Sequence, residues 1–279
     1  MQYSRGSEWN RWEFHIHTPG TLKNDQFEGK TLEEQWKKFY ADIVTYIGDG
    51  TNPQHKIVAM GVTDYLSINN YLKIKADGLL DNLIPFIFPN VELRITPIAQ
   101  ESPINLHCLF NPKIANELEG RFFSKLKFTK GTTSYSAADS ELIRFGKSID
   151  SSLADDMAKK KASEQFVIPY TQLKELFAQD EDLRKNTLIA ISNKTADGVS
   201  GIANPTTDNF DSQLYETRAE LYRMSDLIFS ANDSDIKYFL GEKTDAVKTV
   251  CKKYGKLMPC VTGSDAHTNN NIFEPAQKK

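Results

Sequence analysis

Cysteine is scarce in this chain, and its spacing argues against two classes of small domain. The sequence contains three cysteines, Cys108, Cys251 and Cys260, which lie far apart and form no Cys-x-x-Cys pair. This pattern speaks against a disulfide framework and against a zinc ribbon. It favours a reducing compartment, so we expect a cytoplasmic protein.

Long apolar runs and an excess of positive charge are also missing. No stretch approaches the roughly 18 apolar residues that a membrane-spanning helix needs, and the N-terminus lacks the pattern of a signal peptide. The 34 Lys and Arg residues against 37 Asp and Glu leave a formal charge of −3. No global field therefore attracts nucleic acid or a membrane, and any contact with nucleic acid has to be local. No Walker-type GxxxxGK[ST] motif occurs, so we expect no ATP binding by this chain alone.

The 279 residues are enough for one large α/β domain, and no linker-like stretch divides them. Short apolar runs alternate with segments of helical period, which indicates alternating strands and helices. We predict strands at 12–17, 56–64, 83–93, 104–110, 186–192, 225–230 and 257–265. Their number is close to that of a barrel, and we predict one domain over residues 1–279.

The clearest helix pattern follows the first predicted strand. Thr31 and Glu34 form a capping box, apolar residues recur at helical spacing from Leu32 to Ile47, and Gly48 ends the pattern. Further helices are predicted at 69–81, 113–126, 136–148, 171–184, 212–224 and 244–254. The stretch 127–170 is too long for one crossover, so we expect an insertion packed beside the functional site.

Histidine is rare as well, and its placement is informative. His15 and His17 are two of five histidines and lie two positions apart on a predicted strand. Their side chains should share one face, while Phe14 and Ile16 occupy the other. Taken alone, the pair also suits an ordinary polar strand face.

Other predicted strands carry a side chain suited to metal binding at or near their ends. These residues are Asp64, Glu92, His107, Asp265 and His267. A β/α barrel collects its functional groups at the C-terminal ends of parallel strands. Mixed imidazole and carboxylate ligands suit zinc, manganese or iron. Because so many ligands oversupply one four-coordinate ion, we predict two or more ions bridged by a carboxylate such as Glu92, a cluster typical of phosphoester hydrolysis.

The chain resembles the PHP (polymerase and histidinol phosphatase) family of metallo-phosphoesterases through five segments in order. They are HIHTPGT, GVTDY, PNVEL, INLHCLF and GSDAH, and they extend from residue 15 to residue 267. The segments GVTDYLSI, PNVELRI, INLHCLF and TADGVSG are similar to the PHP domain that begins large AAA-type or SMC-like ATPases of the TrlF kind. Some of those proteins are associated with DNA repair or phage defence.

The resemblance implies a distorted, TIM-like (β/α)7 barrel that holds two, and up to three, divalent transition metal ions. It implies hydrolysis of phosphomonoesters or phosphodiesters, with nuclease activity in DNA repair or phage defence as one form. The motifs supply the ligands His15, His17, Glu92 as the bridge, His107, Asp265 and His267. We add Asp64 as a ligand, and we assign catalytic roles to Asp64, Asp265 and His267. The expected partners are a phosphate-containing substrate, nucleic acid among them, and a C-terminal ATPase domain or partner.

Two positions depart from the family pattern. The second motif usually reads Thr-Asp-His, but here Tyr65 follows Asp64, and a phenol stays protonated at neutral pH. The fifth strand usually supplies another histidine, but here it ends in Ser192, Asn193 and Lys194. A second hypothesis is therefore a catalytically silent PHP domain that acts as a metal-stabilised binding or regulatory module. A third is amide or C–N hydrolysis, since amidohydrolases also carry His-x-His on strand one, although no bridging lysine is evident.

Three further residues have two interpretations each. Asp25 is a candidate ligand from the loop after the first motif, and Arg94 and Lys194 are candidate contacts for a substrate phosphate. For each of them, ordinary solvation at the surface is the alternative.

Overall fold

The computed structural model describes residues 10–202, 212–243 and 246–274. The strands in these ranges are β1 (Arg11–Ile16), β2 (Ile57–Tyr65), β3 (Phe86–Ile98), β4 (Pro103–Phe110), β5 (Lys127–Lys130), β6 (Thr133–Ser136), β7 (Ile168–Pro169), β8 (Thr187–Ser192), β9 (Leu227–Phe229) and β10 (Cys260–Val261). All seven predicted strands are present, with boundaries shifted by a few residues.

The helices are α1 (Leu32–Ile47), α2 (Asn69–Asp77), α3 (Asp139–Ile149), α4 (Asp155–Gln165), α5 (Tyr170–Gln179), α6 (Glu181–Lys185), α7 (Ser212–Met224), α8 (Asp233–Phe239) and α9 (Ala246–Tyr254). Helix α1 begins as predicted, because the Thr31 side chain accepts a hydrogen bond from the Glu34 N–H, and it ends at Gly48. The predicted helix at 113–126 is instead a 3-10 helix at 112–117 followed by a π-helical turn at 119–123. Residues 244–245 of the last predicted helix lie outside the described residues. None of the helices in the described ranges has the length and apolar composition needed to cross a bilayer.

One sheet, in the order β1-β2-β3-β4-β8-β9-β10, curves into a nearly closed barrel. The closing contact joins β1 to the segment after β10, where Ile16 and Ala266 form a parallel bridge. The Asp265 N–H donates to the His15 carbonyl at 2.8 Å, and the His17 N–H donates to the Ala266 carbonyl at 3.2 Å. The first and last motifs are therefore neighbours, and the predicted distorted TIM-like barrel is confirmed.

Strand β4 differs from the prediction that all functional residues lie at the ends of parallel strands. It runs antiparallel to both β3 and β8, and it pairs His107 with Glu92. Only residues 99–102 separate β3 from β4, and such a short connection can form a hairpin but not a parallel crossover. His107 reaches the site from the middle of its strand.

A β-bulge in β1 changes the predicted alternation of side chains. The register with β2 shifts between Glu13 and Ile16, so Phe14 and His15 together stand opposite Gly61. A side chain at Gly61 would collide with the Phe14 carbonyl, 2.5 Å from the position of a Cβ. Phe14 therefore packs inside the barrel, not on the outer face with Ile16 as predicted. Bulges of this kind re-aim side chains next to functional sites.

The barrel interior and the outer layer hold separate apolar clusters. The interior cluster comprises Ala59, Phe88, Leu109, Ala190 and Leu227, with Phe14, Phe229 and Val261 packed against it. Odd-numbered residues of β3 such as Val91 and Leu93 belong to the larger cluster beneath the helices. Even-numbered residues of β3 consequently point into the barrel.

The segment from 127 to 170 forms the predicted insertion, with a hairpin of β5 and β6 followed by α3, α4 and β7. The Asn69 amide, at the start of α2, donates to Asp139 at 2.7 Å and ties α3 to the end of β2. The Lys159 side chain of α4 pairs with the same carboxylate at 2.6 Å. The insertion therefore packs beside the strand ends that carry the candidate site.

Candidate metal centre

Four side chains, from β1 and the residue after it, from β3 and from the segment after β10, converge at one end of the barrel. Nε2 of His15 lies 3.0 Å from Nε2 of His17. Oε2 of Glu92 lies 3.7 Å and 3.6 Å from these two nitrogens, and Oδ1 of Asp265 lies 3.2 Å and 3.7 Å from them. His107 adds a fifth donor atom, in a group with His15 and Glu92 whose donor atoms all lie within 4.8 Å of one another.

Glu92 is the strongest indication that this cluster holds a cation. Its side chain is 3% exposed, and Oε2 is buried without a hydrogen-bond partner among the described residues. Burial, reinforced by the Asp265 charge, raises the pKa of Glu92 to about 8. A buried carboxylate oxygen aimed at imidazole nitrogens is costly unless a positive charge compensates it.

Protonation of the imidazoles in this cluster is unfavourable. Burial lowers the pKa values of His15, His17 and His107 below 6.5. They are therefore neutral at pH 7, which is the form that binds a metal ion. Because carboxylate oxygens and neutral imidazole nitrogens face one another at 3.2 to 3.7 Å, the residues present fit a divalent metal ion with nitrogen and oxygen ligands.

Hydrogen bonds behind His17 fix its tautomer. The Thr21 hydroxyl donates to Asp64 Oδ1 at 3.0 Å, so its oxygen is left to accept from His17 Nδ1 at 3.1 Å. Nδ1 of His17 then carries the proton, and Nε2 presents its lone pair to the cluster. Partners of this kind orient metal-binding histidines.

His107 is oriented in the same way by Asn90. The Asn90 amide nitrogen donates to the Phe14 carbonyl at 3.0 Å and to the Thr63 hydroxyl at 2.9 Å. Its Oδ1 therefore accepts from His107 Nδ1 at 3.2 Å, and His107 Nε2 is left as the metal-binding atom. Sequence reasoning missed Asn90 and Thr21, although Asn90 lies two residues before Glu92 on the same strand face.

Asp64 does not lie among the converging donor atoms, contrary to its predicted place as a ligand. Its Oδ1 accepts from Thr21, from the Leu22 N–H at 3.1 Å and from its neighbour Tyr65 at 2.8 Å, and its Oδ2 accepts from Asn70 at 2.9 Å. Successive residues of β2 point to opposite faces. Since Thr63 and Tyr65 face the barrel interior, Asp64 faces away and supports His17 through Thr21.

Tyr65 takes the inward position that follows from this alternation. Its ring stacks on that of His17 with centroids 5.2 Å apart. Burial, followed by the charges of Glu92 and Asp265, raises the pKa of the phenol. The phenol is therefore protonated at neutral pH, and its ring lies beside the cluster against His17.

Asp265 and His267 form the solvent-facing side of the cluster. The Asp265 side chain is 44% exposed, and its backbone has a left-handed φ of 50°, a conformation that Asp tolerates better than most residues. His267 stacks on His17 with centroids 4.0 Å apart, and its Nε2 lies 3.7 Å from Asp265 Oδ1. His267 Nδ1 is buried without a hydrogen-bond partner among the described residues.

Asp25, the uncertain candidate of the first loop, holds the loop backbone. Its Oδ2 accepts from the Gly20 N–H at 2.8 Å, and its Oδ1 accepts from the Phe27 N–H at 3.2 Å. These bonds occupy both carboxylate oxygens, so Asp25 shapes the loop that carries Thr21.

Comparisons with known proteins were made for the whole chain. No family model matches it, and no curated protein does. Among solved structures, the chain is similar to a protein from Bifidobacterium adolescentis ATCC 15703 whose assignment as a metal-dependent phosphoesterase is inferred. The two chains are 8% identical, and they align with a TM-score of 0.42 over 96% of this chain and 91% of the other. A likeness of this size carries no argument, so the fold assignment rests on the strand order and closure of this chain's own sheet.

Proposed function

We propose that this chain is a metal-dependent phosphoesterase and that His15, His17, Glu92, His107 and Asp265 hold its metal ions. The observation that carries the proposal is the buried, unpartnered Oε2 of Glu92, which lies 3.6 to 3.7 Å from two imidazole nitrogens. Two groups of three donors are compact enough for one ion, one with His15, Glu92 and His107 and the other with His15, His17 and Asp265. Because His15 can bind one ion through Nε2, we propose that a second ion, as the motifs imply, would be bridged by the Glu92 carboxylate, with zinc, manganese or iron as the candidates.

Divalent metal ions in such a site lower the pKa of an attacking water and neutralise charge on phosphoryl oxygens. The residues of the chain orient the reaction around that chemistry. Asp64 acts through Thr21 to hold His17, and Asn90 holds His107. Tyr65 stacks on His17 and packs against that ring from the end of β2.

We assign proton transfer to Asp265 and the neighbouring His267, whose side chains are 44% and 13% exposed. Asp265 is reachable from solvent, and the neutral His267 ring lies beside it with Nδ1 unpartnered among the described residues. Burial lowers the pKa of His267, with the Asp265 charge opposing this shift. The neutral His267 ring can accept a proton from the attacking water and pass it to the leaving oxygen, with Asp265 stabilising the charged ring.

Two finer parts of the proposal rest on the motifs: a nuclease role in DNA repair or phage defence, and an ATPase domain or partner at the C-terminal side. The alternative, a silent metal-stabilised module, is supported by Tyr65 at the position where the family pattern has an imidazole. A measurement of phosphoester hydrolysis distinguishes this silent module from the phosphoesterase.

The experiment combines elemental analysis with hydrolysis of p-nitrophenyl phosphate and bis-p-nitrophenyl phosphate in manganese. The parent is expected to bind metal and to hydrolyse at least one ester. His17→Ala should lose metal and activity, Asp265→Asn should lose activity, and Glu33→Gln on the exposed face of α1 should lose neither. Equal metal content in parent and His17→Ala would refute the cluster, and bound metal without turnover would favour the silent module.

A further inference from the structure

Arg94 lies directly beyond Glu92 on the inward face of β3. Residues 88, 90, 92 and 94 share that face, because Phe88 packs in the barrel interior and Asn90 bonds His107. The Arg94 side chain is half-buried. Its guanidinium makes no hydrogen bond or ion pair with any residue of the described ranges.

Lys23 approaches the same place from the loop after β1. Its ammonium lies 4.6 Å from the centroid of the Tyr65 ring, which itself stacks on His17. Burial and the nearby positive charge of Arg94 lower the pKa of Lys23 to about 8. Within the described residues, Lys23 forms no ion pair. The Arg94 charge repels its ammonium, and the charges of Glu92 and Glu164 oppose that repulsion.

A third cation follows a neighbouring strand. Lys194 is exposed and follows β8, which pairs with the strand that carries His107. Its ammonium also has no partner among the residues that the structure describes. The three cations therefore belong to three separate elements around the metal ligands, in a chain whose formal charge is −3.

Holding like charges together without an anion is unfavourable, and a bound anion relieves the cost. A strand with phosphates at regular intervals offers an anion to cations beside the metal ligands, since its flanking phosphates extend away from the scissile one.

We propose that Lys23 and Arg94 form a subsite for a second phosphate of the substrate, adjacent to the scissile phosphoester, and that the substrate is a single-stranded phosphodiester chain. This assignment rests on the proposed phosphoesterase function and deepens it. Tyr65 contributes the aromatic surface beneath Lys23.

The test measures binding of a fluorescein-labelled hexathymidylate with phosphorothioate linkages, which slow hydrolysis, to the manganese-loaded full chain by anisotropy between 50 and 300 mM salt. Each phosphate contact to a single strand contributes about 0.7 to the slope of log Kd against log salt. Lys23→Gln and Arg94→Gln are each expected to lower this slope by about 0.7 and to raise Kd at 50 mM salt by about fivefold or more. Lys23→Arg should retain the parental slope. The matched control is Lys37→Gln, because the Lys37 side chain is exposed on α1.

Slopes in Lys23→Gln and Arg94→Gln equal to that of the parent would overturn the subsite, as would an equal loss in Lys37→Gln. A parent that does not bind the strand overturns it too. The dinucleotide dT2 has one phosphate and cannot occupy both the metal site and the subsite. If Lys23→Gln and Arg94→Gln weakened the binding of dT2 as much as that of the hexathymidylate, this result would also contradict the subsite. Hydrolysis of p-nitrophenyl phosphate and of the diester bis-p-nitrophenyl phosphate by the parent tests the proposed function separately: turnover of either ester with unchanged slopes rejects only the subsite, and lowered slopes without turnover of both esters reject only the phosphoesterase.

Discussion

The Glu13 carboxylate accepts the backbone N–H of Ser264, 251 positions along the chain, through both oxygens at 2.9 and 3.1 Å. Oε1 also accepts the His15 N–H at 2.9 Å. A side chain at Gly263 would collide with Glu13 and His15. The seam of the barrel is therefore joined by one buried side chain that fixes the backbone of His15 and of the segment carrying Asp265.

Glu13→Ala is expected to weaken metal binding by about tenfold or more, because it frees both segments that carry ligands. Glu13→Gln keeps an acceptor for one N–H. Its loss of metal affinity, expressed as the change in log Kd, should therefore be less than half of the loss in Glu13→Ala. Metal titration by calorimetry measures both variants, with Glu33→Ala as the exposed control. An affinity in Glu13→Ala equal to that of the parent would show that the seam does not position the ligands.

Asp64→Asn tests the supporting role assigned to Asp64. The amide cannot accept all the bonds that the carboxylate accepts, so Thr21 and His17 lose orientation. We expect metal affinity to fall by about 10–100-fold while the number of ions at saturation stays unchanged. A drop in the saturating metal count would instead identify Asp64 as a ligand.

Tyr65→His places an imidazole where the protonated phenol ring now stacks on His17. We expect this variant to gain affinity for the last ion, or to bind one more ion at saturation, because imidazole offers a lone pair without losing a proton. Tyr65→Phe should keep the metal count of the parent. Elemental analysis compares the three proteins, and loss of metal in Tyr65→Phe would mean that the phenolate is itself a ligand.

The free energy of unfolding of the metal-free protein should be highest at an intermediate pH and should fall at lower and at higher pH. The folded pKa of Glu92 is raised from 4.5 to about 8, so the stability contributed by its protonated form is lost as pH rises towards 8. The pKa values of His15, His17 and His107 are lowered below 6.5, so their contribution is lost as pH falls below that value.

Metal binding at pH 7 should release a proton from Glu92, so metal affinity should rise between pH 6 and 8 and then level off. Urea unfolding from pH 5 to 9 and calorimetry in buffers of different ionisation enthalpy measure these effects. Glu92→Gln is expected to reduce the loss of stability as pH rises to 8, and the remaining loss belongs to Glu13 and Asp64, whose pKa values are raised to about 7 and about 6. A flat profile in the parent between pH 6 and 9 would contradict the raised pKa.

The sequence by itself determined the strands and the chemistry that they carry. Apolar runs predicted all seven barrel strands, and Thr31, Glu34 and Gly48 predicted the bounds of α1, because caps and hydrophobic periodicity are local properties. The spacing of His15 and His17 predicted a shared direction, and both rings do point into the cluster. These features depend on a few neighbouring residues, so they survive without knowledge of the fold.

Tertiary structure decided which side chains meet. The bulge opposite Gly61 moved Phe14 into the interior, the hairpin after β3 reversed β4, and the alternation along β2 turned Asp64 away while bringing Tyr65 in. Glu13, Thr21 and Asn90 acquire their roles only through contacts with distant backbone and side chains. A one-residue change of register exchanges the two faces of a strand, and register is set by pairing between segments far apart in the chain, which no local pattern contains.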